Sequence, residues 1–167
     1  MTIITEEMER MVSGLRLCYV ATVTPDGRPN LSPKGSLRVI DREHLAFADI
    51  MSPATIRNLR VNPYIEVNMV DPFLRRGYRF KGICEILTEG EIFDLVANEL
   101  WDREGRQYPV NAVVKIAVQA AIAVRSPAYV FNKGVKEENV RSIWLERYGV
   151  KALESTPDRS QETRTGG

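Results

Sequence analysis

The chain has 167 residues, of which 44% are hydrophobic and 27% charged, with a formal net charge of +1. That length and balance fit one domain with a real core, and near-neutrality excludes the broad basic field that a nucleic-acid-binding surface needs. The acidic start, Thr5-Glu6-Glu7-Met8, lacks the basic-then-apolar pattern of a secretory signal, and no apolar run is long enough to span a bilayer, so a cytoplasmic protein is expected.

Thr5 is placed to cap a first helix with Glu6 and Glu7 in its opening turn, and Met8, Met11, Val12 and Leu15 recur at helical spacing. Gly14 ends it. Leu17 to Thr24 is apolar and β-branched, hence a strand. Pro25-Asp26-Gly27-Arg28 is a turn in which Gly27 can take positive φ. Asn30 to Ile40 returns as a second strand, interrupted at Pro33 and Gly35, which implies an edge or a bulge because proline donates nothing to a ladder. Asp41-Arg42-Glu43-His44 turns the chain into a third strand, Leu45 to Ala48.

Ser52 and Pro53 suit the N-cap and first position of a short helix with Ile56 and Leu59 inward, stopped by Asn62-Pro63. Tyr64 to Val70 alternates as a strand, with Ile65, Val67 and Met69 on one side. Asp71-Pro72 breaks it, and Gly77 to Leu87 is a longer strand. Thr88 and Glu91 have capping-box spacing ahead of the stripe Ile92, Phe93, Val96, Leu100 and Trp101. Lys115 to Arg125 alternates as a strand. Tyr129-Val130-Phe131 fits a short strand or a dimer contact, and a last helix from Lys136 carries Val140, Ile143, Trp144 and Tyr148. Residues 1–153 therefore form the expected domain, and 154–167 a flexible polar tail.

Many antiparallel-type strands with few, peripheral helices favour a closed or partly closed β-barrel. Parallel nucleotide-binding sheets need repeated crossover helices, which are absent. Cys18 and Cys84 sit in strand-like apolar runs, have no diagnostic spacing for a disulfide or a metal, and resemble small buried hydrophobes. His44, the single histidine, falls in a turn and is expected to be solvated there.

The chemistry concentrates in two segments. In Pro33-Lys34-Gly35-Ser36, Lys34 offers charge, Ser36 a hydroxyl, and Gly35 close approach to the backbone. Ser52-Pro53-Ala54-Thr55 opens a helix whose free amides can bind an anion, with Arg57 and Asn58 one turn on. Together they can hold a phosphate. Asp49, repelled by a phosphate, can instead accept hydrogen bonds from another part of a ligand or close the adjacent turn. Arg79 and Lys81 share one strand face, available to a ligand, a second subunit or solvent.

The series Tyr19 to Pro29, Phe47-Ala48-Asp49, Thr55 to Pro63 and Gly77 to Gly82 resembles the pyridoxamine 5'-phosphate oxidase-like family of flavin mononucleotide (FMN)-binding split barrels, over roughly Leu15 to Leu87. The resemblance implies a mainly β, antiparallel Greek-key split barrel with peripheral helices. It also implies a homodimer with FMN at the subunit interface. On that pattern Lys34 and Ser36, with Gly35 between them, serve the phosphate from the second strand region. Asp49, Ser52, Thr55, Arg57 and Asn58 come from the segment before and within the small helix, and Arg79 from the long strand, across the dimer. No catalytic side chain and no metal ligand is assigned. True vitamin B6 oxidases carry Ser-Arg-Lys where this chain has Ser52-Pro53-Ala54, so the resemblance implies a flavin fold more than that substrate. The expected function is an FMN-dependent oxidoreductase with a small-molecule electron donor or acceptor, and no nucleic acid or membrane partner. A deazaflavin-dependent reductase and a non-catalytic FMN-binding or storage protein are the alternatives.

Overall fold

The computed structural model describes residues 3–151. The expected polar tail, 154–167, lies outside the described residues. In chain order the elements are α1 (Glu6–Gly14), β1 (Cys18–Val23), β2 (Pro29–Lys34), β3 (Arg38–Val39), β4 (His44–Asp49), α2 (Pro53–Val61), β5 (Tyr64–Asp71), β6 (Arg76–Leu87), α3 (Glu91–Glu104), β7 (Ala112–Arg125), α4 (Ala128–Phe131) and α5 (Glu137–Arg147). All seven strands join one antiparallel sheet in the order β2-β1-β5-β6-β7-β4-β3. The sheet curls into a half-barrel, so the fold is mainly β and a split barrel, with the helices at its periphery.

Local chemistry explains most boundaries. Thr5 Oγ1 accepts the Met8 N–H at 3.3 Å, which starts α1, and Met8 and Val12 bury its inner face. In β1, Cys18, Val20 and Thr22 point inward while Tyr19 and Val23 are exposed, the period of a half-buried strand. The turn that follows closes on Gly27 at φ 83°, with the Arg28 N–H donated to Thr24 Oγ1 at 2.9 Å. In β5, Ile65, Val67 and Met69 are buried, as the alternation required.

The segment from Asn30 to Ile40 is not one interrupted strand. It divides into β2 and β3, which lie at opposite edges of the sheet. Pro33 is accommodated because β2 has a neighbour on one side only. The crossing from Lys34 to Arg38 joins the two edge strands, and Ser36 within it is hydrogen-bonded to Ala48 of β4.

β6 and β7 form the long central pair, with a register shift between Lys81 and Gly82. A Cβ at Gly82 would stand 2.4 Å from Ala117 O, so the backbones meet there only because the side chain is missing. The main core lies inside the curl and includes Val20, Leu45, Phe47, Val67, Phe80 and Ile116. A second cluster, Ala46, Ala48, Val96, Leu100 and Val113, seats α3 on the other face of β4 and β7.

Three local expectations are corrected. Thr88 and Glu91 do not form a capping box: α3 starts after Gly90, whose φ of 101° places the chain for entry without a side-chain cap. Tyr129-Val130-Phe131 is the helical turn α4, not a strand, with Tyr129 Oη donating to Leu74 O at 2.6 Å. His44 is half-buried rather than solvated, opening β4 with its Nδ1 2.8 Å from Asp41 Oδ1. Cys18 and Cys84 are both free thiols. Among the described residues no helix is long and apolar enough to cross a membrane.

Candidate functional site

A groove of about 470 Å³ opens where the end of β2 meets the end of β4, the loop into α2, and the last turn of α3. Pro33, Ile50, Leu100 and Tyr108 give it apolar walls, and Lys34, Ser52 and Arg103 give it polar ones.

Lys34 ends β2 on the inward side, two residues after Ser32 and so on the same face. It is only 9% exposed. Its Nζ donates to Ser32 Oγ at 2.7 Å and lies 5.7 Å from the centroid of the Phe47 ring. Burial lowers its pKa from the ordinary 10.5, and the charge of Asp49 works partly against that shift. With one hydroxyl partner, an ammonium group retains further N–H donors.

Asp49 ends β4 and is 5% exposed. Its Oδ1 accepts the Ser52 N–H at 3.0 Å and also the Ser52 hydroxyl. Ser52 thus holds the N-cap position of α2, but its hydroxyl is drawn to Asp49 and no side chain caps the helix. Pro53 follows and has no N–H to donate, and of this helix start only Ser52 lines the groove.

Ser36 and Gly35 also line the groove. The Ser36 hydroxyl accepts the Ala48 N–H at 3.0 Å and donates to Ala48 O at 3.3 Å, stapling the β2–β3 crossing to β4. A Cβ at Gly35 would stand 3.3 Å from Arg16 O, a tight approach, and its carbonyl accepts from Arg103 Nη2 at 3.4 Å.

The structure therefore gathers Lys34, Gly35, Ser36 and Ser52 around one groove, with Asp49 directly behind. The remaining sequence candidates lie elsewhere. Thr55 and Asn58 are each 1% exposed beneath α2, where Asn58 Nδ2 donates to Thr22 Oγ1 at 3.1 Å and ties the helix to β1. Arg57 is exposed on the outer side of α2. Arg79 stands on the outer face of the sheet, 3.8 Å from Glu66, which also pairs with Lys81 at 2.9 Å. Sequence reasoning missed Arg103 and Tyr108. Arg103 had a usable signal, three residues after the core residue Leu100 and so on the same helix face. Tyr108 follows the helix in a turn and carries no periodic signal.

The profile of the pyridoxamine 5'-phosphate oxidase family matches residues 4–132. A curated relative, an uncharacterised protein of Methanocaldococcus jannaschii, is 29% identical over 90 residues, 53% of this chain and 59% of that protein. The chain thus spans about three-fifths of the length of the curated relative it matches. Among solved structures, HupZ of Group A Streptococcus is 33% identical with a TM-score of 0.67, over 74% of this chain and 96% of its own. An FMN-binding protein of Syntrophomonas wolfei shares the fold at 16% identity and a TM-score of 0.67, over 74% of this chain and 87% of its own. So does HutZ, the haem storage protein of Vibrio cholerae, at 20% identity and a TM-score of 0.59, over 73% of this chain and 95% of its own. The family match covers most of the described chain and the groove-forming elements β2, β4, α2 and α3, and the protein belongs to the pyridoxamine 5'-phosphate oxidase family.

Proposed function

We propose that the protein is an FMN-dependent oxidoreductase acting on a small-molecule electron donor or acceptor. The observation that carries this reading is Lys34, a buried ammonium group on the wall of a groove, with a single hydroxyl partner. A cation with unspent donors is costly to bury unless an anion joins it.

The groove fits the cofactor. Its volume of about 470 Å³ lies within the usual range for small-molecule sites, roughly 300–1,000 Å³. Lys34 supplies donors for a phosphate, and Arg103 adds a second cation, paired at 2.8 Å with Glu104, which also lines the groove. Pro33, Ile50, Leu100 and Tyr108 supply flat apolar contacts for a ring system. FMN, when bound, supplies the electron or hydride transfer. The side chains bind and orient it, and Asp49 holds the loop that shapes the groove.

A homodimer is part of the proposal. The outer face of the sheet presents Tyr19 at 44%, Leu31 at 65% and Tyr64 at 61% exposure, a contiguous apolar patch beside the Glu66, Lys81 and Arg79 charges. A second copy on that face would cover the patch and allow Arg79 to serve the partner's cofactor. The family relationship and the FMN-binding fold neighbour support flavin. The haem storage neighbour raises haem, but a histidine ligand would have to be His44, which pairs with Asp41 at the start of β4 and is not among the groove-lining residues.

Flavin fluorescence titration tests the reading. FMN is expected to bind at least about tenfold tighter than riboflavin, because only FMN carries the phosphate. Equal affinities would refute phosphate anchoring. Oxidation of reduced nicotinamide by the loaded protein would separate an enzyme from the second reading, a non-catalytic FMN-binding or storage protein, which an FMN-binding and a haem storage protein among the fold neighbours favour.

A further inference from the structure

Behind the groove lies a second cavity of about 280 Å³, between α1, β3 and α3. Gly35 and Arg103 line both spaces and form the partition between them. Three guanidinium groups line the second cavity, those of Arg16, Arg38 and Arg103, with the hydroxyl of Ser13 nearby.

Its two lining carboxylates are already engaged. Glu99 pairs with Arg38, and Glu9 with Arg42 at 2.9 Å. Arg103 pairs with Glu104 of its own helix at 2.8 Å, a residue that does not line this cavity. Arg16 has no carboxylate partner among the described residues. Arg38 is not satisfied by Glu99 alone, because its Nε is buried without an acceptor. The cavity therefore holds excess positive charge and unspent N–H donors in a planar fork geometry suited to oxyanions.

We propose that this cavity is an oxyanion site, taking a phosphate or carboxylate group separately from the anion position at Lys34. The occupant is a free small anion, because the Arg16 backbone stands close against Gly35 and leaves no way through the partition there for a ligand of the groove.

The experiment titrates inorganic phosphate into the full chain, following the arginine Nε–Hε signals by nuclear magnetic resonance, for the wild type and for Arg16→Ala, Arg38→Lys and Lys34→Ala. Saturable binding is expected, weakened about tenfold by Arg16→Ala and kept in Lys34→Ala. Arg16→Ala alters an exposed side chain and keeps the test intact should Arg38→Lys not fold. Phosphate binding should be undiminished with FMN present, because FMN carries a single phosphate and that group belongs at Lys34. Displacement of phosphate by FMN, together with weaker FMN binding in Arg16→Ala, would overturn the separation of the two anion positions. No saturable phosphate binding in the wild type would overturn the proposal. So would binding that survives Arg16→Ala but is lost in Lys34→Ala, which would place the anion in the groove. Because phosphate is read directly, failure of FMN to bind would leave this result standing on its own.

Discussion

Lys34→Met is the most instructive single change. Methionine nearly matches the length of the lysine stem and suits the apolar neighbours Cys18 and Phe47. Lys34 is 9% exposed and makes one hydrogen bond, to Ser32 Oγ at 2.7 Å, while burial works against its charge. If the ammonium is there for a ligand, it burdens the empty fold. Its replacement should then leave stability unchanged or raise it by about 1–2 kcal/mol, as when buried charges give way to packed apolar groups. FMN affinity should fall, because one charge-assisted hydrogen bond is worth about 1.5–3 kcal/mol, roughly 10- to 100-fold in Kd. Riboflavin affinity should move little.

The pH dependence has a definite sign. The folded-state pKa of Lys34 is lowered from 10.5, so between the folded value and 10.5 the unfolded chain binds the proton and the folded chain does not. Stability attributable to this group therefore rises with pH across that window, and the penalty is fully present below it. Wild type should gain on Lys34→Met as pH climbs toward 10.5. Urea denaturation across that range and FMN fluorescence titration at pH 7 are the assays. A variant destabilised by more than about 1 kcal/mol with unchanged FMN affinity would refute the reasoning and make Lys34 a structural residue.

Other substitutions separate scaffold from site. Asn58→Leu should cost about 1–3 kcal/mol in urea denaturation by removing the buried bond to Thr22 Oγ1, while any FMN binding per folded molecule stays unchanged; a selective loss of FMN affinity would restore Asn58 as a ligand. Gly77→Ala should destabilise by about 2–3 kcal/mol or prevent folding, since its Cβ would stand 1.9 Å from Met69 O; a wild-type melting temperature would contradict the strand packing. The native thiols should resist a thiol-specific reagent at pH 8, because burial pushes Cys18 up to about 12, Lys34 opposing slightly, and Cys84 up to about 11. Both should react after denaturation, and prompt labelling of Cys18 in the native protein would contradict its burial.

The parts of this fold legible in the sequence are those set by local rules. The alternation of β1 and β5, the turn at Gly27 and the proline start of α2 depend on neighbours a few residues away. The division of Asn30 to Ile40 was illegible, because only the curl of the sheet decides that β2 and β3 belong to opposite edges. Similarly, Gly90 rather than Thr88 precedes α3, since the packing of Val96, Ala97 and Leu100 on β4 and β7 sets where that helix begins. In the site, Lys34 and the Asp49–Ser52 loop were visible as residue types, but their burial and pairing were not. Thr55 and Asn58 carried ligand-like chemistry, and both are buried beneath α2, where Asn58 ties the helix to β1. Arg103 entered the groove from an element distant in sequence, which no local pattern places beside Lys34.

The central claim, that the groove beside Lys34 holds FMN, is tested most directly by the absorption spectrum of the freshly purified protein with the mass of its released ligand. The account predicts flavin bands and the mass of FMN, either as isolated or after incubation with FMN and removal of the excess. A colourless protein that takes up no added FMN, or one that releases a deazaflavin or haem, would contradict it.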